Sequence, residues 1–165
     1  MKNMLFLVPL YLLIACNAQS NETTDGRNIT TDSLNTGACE TALRFANSYI
    51  GNTGNINQQK TDSSWLYVNT TLTENFKSEY RMLVDSANKA DPEFGLGFDP
   101  ILDAQDFPDK GFEMKDCKPE SGYVTLQGKD WKDFYLVIKV IQQDNIWKVD
   151  GSGVINIPPD KRIKK

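Results

Sequence analysis

The chain has 165 residues, 39% hydrophobic and 24% charged, with a formal net charge of −4. That suits one globular domain with accessory segments, and its acidity excludes nucleic acid as an expected partner, because an acidic surface repels phosphate backbones. Histidine is absent and cysteine occurs three times, which removes histidine-dependent triads and four-thiolate zinc sites, and no metal or cofactor is implied.

Met1-Lys2-Asn3-Met4 is a short positive start, and Leu5 to Ala15 is an unbroken apolar run. Eleven or so residues are too few to cross a bilayer, which takes about twenty. They have the length of a signal-peptide apolar region. The run ends Leu13-Ile14-Ala15-Cys16, which resembles a bacterial lipobox. The resemblance implies cleavage before Cys16, a diacylglyceryl thioether on its sulfur and acylation of the new amino terminus. Several acyl chains anchor far more firmly than one. The expected partner is therefore a membrane, held through the lipid on Cys16. Asn17, rather than Asp, follows the cysteine. By resemblance to enterobacterial lipoproteins, this favours the outer membrane, with the protein facing the periplasm.

Residues 16–36 read as the lipidated cysteine plus a flexible linker, because Asn, Thr, Ser, Asp and Gln dominate and too few apolar side chains are present to order it. Residues 37–159 read as a single α+β domain, and 160–165 as a basic tail. Thr36 is placed to cap a first helix over Ala38–Gly51, whose apolar stripe is Ala42, Phe45, Ala46, Tyr49 and Ile50. Asn52 to Ser63 reads as a loop, and Trp65 and Val68 as a short helix or turn. Thr71-Leu72-Thr73-Glu74 matches a capping box for a helix over Thr73–Lys89. That helix carries Phe76, Tyr80, Leu83, Val84 and Ala87 on one face. Asp91-Pro92 ends it.

Glu93 to Lys110 is punctuated by Gly95, Gly97, Pro100 and Pro108 and reads as a long loop, a class of segment that is often functional. Four strands follow, over Phe112–Lys118, Gly122–Gly128, Phe134–Gln142 and Ile146–Asp150. Glu120-Ser121-Gly122 and Gln143-Asp144-Asn145 read as hairpin turns. Helices first and an antiparallel meander second predict two or three helices on one face of a curved sheet. With Cys16 lipidated, Cys39 and Cys117 are expected to form a disulfide, since an exported protein with two cysteines usually pairs them.

Phe98-Asp99-Pro100-Ile101-Leu102-Asp103-Ala104-Gln105-Asp106, Gly128-Lys129-Asp130-Trp131 and Trp147 to Pro158 resemble segments of an uncharacterised family of bacterial envelope proteins, some of them lipoproteins, that carry a domain of unknown function. The resemblance spans about residues 42–158. It implies the cone-shaped α+β fold of ketosteroid isomerases, nuclear transport factor two and cystatin-like proteins, and no particular activity.

Enzymes of that fold place a carboxylate base beside a tyrosine or acid donor in the cone. Here Asp99, Asp103 and Asp106 supply carboxylates, and Tyr49, Trp65, Tyr80 and Tyr135 are candidate walls. The acidic spacing lacks the pattern of an EF-hand, and the first expectation is that Asp99 and Asp103 bond backbone amides around Pro100. Asp150, before Gly151-Ser152-Gly153, reads as turn chemistry. The leading expectation is a non-enzymatic binding domain for a small ligand or another envelope protein. The rivals are a pocket-carboxylate isomerase or dehydratase, and an immunity or inhibitor protein.

Overall fold

The computed structural model describes residues 31–53 and 64–163, with side chains from Thr36 onward. The leader, Cys16, the linker up to residue 30, residues 54–63 and the last two lysines lie outside the described residues. Three α-helices, α1 (Thr31–Thr53), α2 (Ser64–Val68) and α3 (Glu74–Ala90), precede four strands, β1 (Phe112–Lys118), β2 (Tyr123–Gly128), β3 (Tyr135–Gln143) and β4 (Ile146–Ser152). The strands form one antiparallel sheet in the order β1-β2-β3-β4. The class is α+β, with helices packed on an open four-stranded meander, as the pattern predicts.

The helices bury the faces expected of them. Ala42, Phe45, Ala46, Tyr49 and Ile50 of α1 are all in the core, as are Phe76 and Tyr80 of α3. They meet Val124 and Leu126 of β2, Leu136, Ile138 and Val140 of β3 and Val149 of β4. The β3–β4 connection is a tight hairpin, with Gln143 opposite Ile146. Asp144 and Asn145 have φ of 53° and 60°, the left-handed pair of a type I′ turn. Cys39 of α1 and Cys117 of β1 form the expected disulfide, with Cα atoms 5.9 Å apart, and bind the helix to the edge of the sheet.

Three local expectations are corrected. The first helix starts at Thr31 rather than Ala38 and includes Thr36, which is therefore no cap. The first turns of a helix tolerate Asp and Ser well, so a polar composition does not separate them from a linker. The cap of α3 is Thr73, not Thr71: its Oγ1 accepts from the Phe76 amide at 3.0 Å. Thr71 and Thr73 instead flank a short parallel bridge between Leu72 and Val149, with the Thr73 amide donating to the Val149 carbonyl. This bridge sets the start of α3 against the β4 edge.

The third correction concerns Asp150, which lies inside β4. The register steps from Lys139–Gly151 to Val140–Val149, so Asp150 is the extra residue of a β-bulge, the device that re-aims a side chain. Its carboxylate is 5% exposed in residue terms. It accepts from Thr73 Oγ1 at 2.7 Å and pairs with Lys139 Nζ at 2.8 Å. Burial alone would raise its pKa, but the hydrogen bonds from Lys139 and Thr73 outweigh it and hold the carboxyl below its ordinary value. One buried acid thus joins β3, β4 and the cap of α3.

Candidate ligand-binding site

The segment between α3 and β1 is held by backbone and side-chain bonds rather than by regular structure. Asp99 and Ala104 exchange both backbone hydrogen bonds. Asp99 Oδ1 accepts from the amides of Ile101 and Leu102 at 2.8 and 3.0 Å, an Asx arrangement that organises the turn around Pro100. Ser152 Oγ donates to the Ile101 carbonyl, and the Val154 amide donates to the Pro100 carbonyl. Gly153 makes this approach possible. Its φ is +59°, and a Cβ there would sit 2.5 Å from the carbonyl oxygens of Pro100 and Ile101. The loop is therefore fixed to the end of β4.

This fixed loop and the far end of α1 meet at one point. The Tyr49 hydroxyl donates to Asp99 Oδ2 at 2.7 Å. Behind Tyr49 lies an aromatic stack: Trp65 of α2 is 6.1 Å from its ring and 6.3 Å from Phe45, and Phe76 meets Phe45 edge-on. In front of Tyr49 is an open cleft of about 500 Å³, bounded by Tyr80, Val84 and Asn88 of α3 and by the run from Pro92 to Pro100.

Burial, and then the Asp99 charge and hydrogen bond, push the Tyr49 hydroxyl far above the ordinary phenol range. The Tyr80 hydroxyl is pushed up to about 12, mainly by burial and next by the charge of Asp99. Both phenols stay neutral at physiological pH. Tyr49 points its proton at Asp99, so the pair is a fixed carboxylate with a committed donor, rather than a base and a separate acid facing the same space.

Of the residues singled out from sequence, Tyr49, Tyr80 and Asp99 line this cleft, and Trp65 supports it from behind. Asp103 and Tyr135 come together elsewhere, in a narrow crevice beside Arg162. Asp106 is exposed and lines neither. The three loop acids diverge, and among the described residues no group of three or more candidate ligands is placed to hold a metal ion.

Sequence reasoning missed the cleft's lips, Glu93, Phe94 and Phe98. Their signal was available, since phenylalanine recurring in a Gly- and Pro-punctuated loop is costly to leave in water. A second hollow, of about 590 Å³, lies over the disulfide between Leu43, Met114 and Pro119. Its described lining carries no aromatic side chain. No described helix is long and apolar enough to cross a membrane. No family model, no curated protein and no solved structure matches the chain.

Proposed function

We propose that this protein is a lipid-anchored domain of the bacterial cell envelope that binds a small ligand in the cleft beside Asp99, without catalysing a reaction on it. The anchor reading rests on the apolar leader and Cys16, and it accords with the resemblance to envelope lipoproteins of the cone-shaped fold. The binding reading rests on one observation: a concave, aromatic-lined space whose carboxylate floor is held by two backbone amides and Tyr49. Ligand sites combine apolar walls with a few oriented polar groups in this way. Catalysis by Asp99 would require it to leave the donors that order the loop, which is why binding is the better reading.

Two measurements test the proposal. Intact-mass analysis of the natively produced chain should show a triacylated amino-terminal Cys16, and Cys16→Ser should move the protein out of the membrane fraction. An unmodified sulfur at Cys16 refutes the anchor. Native mass spectrometry of protein extracted from its own membranes should show a retained small molecule, lost in Asn88→Trp, where an indole closes the mouth of the cleft. Retention by that variant refutes the site.

A further inference from the structure

We infer that the ligand is an organic ammonium ion, an alkylated amine whose cationic head sits against the rings of Tyr80, Phe94 and Phe98. The inference rests on the small-ligand reading above and names its chemistry. Phe94 is 71% exposed and Phe98 36% exposed, both on the lip of the same cleft. Neither ring is drawn into the adjacent core, where burial would remove its apolar surface from water. Glu93, exposed, stands on that lip and carries a negative charge. No lysine or arginine is among the described lining residues.

An anion entering here would meet the exposed Glu93 carboxylate, and a neutral apolar ligand would strip water from Glu93 and Asn88 without replacing it. A soft cation with alkyl substituents satisfies both halves of the lining: its charge is attracted by the ring faces and by Glu93, and its methyl groups replace water against the phenylalanines.

The test uses the full mature chain, disulfide intact, in a non-ionic detergent. Choline is the probe and 3,3-dimethylbutan-1-ol its neutral isostere. Choline should shift the amide resonances of Phe94 to Asp99 and bind at least tenfold more tightly than the alcohol. The Phe94→Ala/Phe98→Ala variant should weaken choline at least tenfold. Glu93→Gln should weaken it two- to fivefold and reduce its salt dependence. All three side chains are at the surface, so the unfolding midpoint of these variants should stay within 2 °C of wild type, on the order expected for surface changes.

Equal affinity for choline and the alcohol overturns the ammonium assignment and leaves a small-ligand site standing. Silent resonances with both probes, while native mass spectrometry still finds a retained molecule, overturn the assignment alone. Silent resonances together with an empty protein overturn both readings.

Discussion

Replacing Asp99 by Ala removes at least three hydrogen bonds at once. The amides of Ile101 and Leu102 lose this acceptor, and both residues are fully buried. The Tyr49 hydroxyl, on a side chain 2% exposed as a residue, loses its acceptor as well. An orphaned buried polar group costs about 1–3 kcal/mol. Water from the open cleft can reach the vacated position, so the sum should fall at the low end, about 3 kcal/mol. For a domain of this size that is a fall in Tm of roughly 10 °C.

Two milder variants divide the effect. Asp99→Asn keeps an oxygen for the two amides and should cost about 1 kcal/mol. Tyr49→Phe deletes the donor and leaves Asp99 beside the cleft's water, also at about 1 kcal/mol. In the Asp99→Ala background, Tyr49→Phe should cost close to nothing, because the contact it removes is already gone. Urea unfolding followed by tryptophan fluorescence, to which Trp65 packed on Tyr49 contributes, reports the four variants and the wild type with the disulfide oxidised. If Asp99→Ala lies within 0.5 kcal/mol of wild type, or Asn is as damaging as Ala, Asp99 does not organise this loop. Values of that size are the background of neutral substitutions.

Three further outcomes concern the disulfide, Asp150 and the buried tyrosines. Cys39 and Cys117 are 78 residues apart, so on the chain-entropy account a double change to Ala should cost up to about 4.5 kcal/mol; a Tm of the wild type indifferent to reductant would contradict this. Asp150, with its pKa lowered in the folded state, contributes stability that is present above the ordinary carboxylate range and lost as pH falls through the folded value. Acid titration of the unfolding free energy should therefore be flatter for Asp150→Asn than for wild type, and parallel curves would count against the Lys139–Asp150–Thr73 junction. Tyr80, raised to about 12, contributes stability that is full below the phenol's unfolded value near 10 and is lost as pH rises toward 12. In ultraviolet titration, Tyr49 and Tyr80 should stay un-ionised at pH 11 until the chain unfolds, whereas ionisation of every tyrosine on a chain that keeps its folded circular dichroism would refute their burial.

The sheet was largely legible in the sequence because alternation and turn residues are local signals. Phe112–Lys118 has the predicted bounds, and the other strands differ by a residue or two. The face of α1 that carries Tyr49 was legible for the same reason, through helical spacing. The beginning of α1 was not, since Thr, Asp, Ser and Asn serve equally in a first turn and in a linker. Asp150 misled because aspartate before glycine usually marks a turn. The contrary signals, Lys139 on the neighbouring strand and a bulge between them, are visible only once the strands pair. The site was half legible. Asp99, Tyr49 and Tyr80 were recognisable as chemistry-bearing residues, but Asp99 and Tyr49 are 50 positions apart, and no local pattern shows that they meet. Asp103 and Asp106 carried the same signal as Asp99 and went elsewhere, because the positive φ of 54° at Asp103 turns the chain between them.

The cross-link between Cys39 and β1 also has a mechanical meaning. A pull on the amino-terminal end of α1 travels only as far as Cys39 before the sulfurs pass it into the sheet. Ten residues of helix, about 15 Å of rise, separate that point from Tyr49. Load applied to the helix before Cys39 therefore passes into the sheet ahead of the end that carries Tyr49.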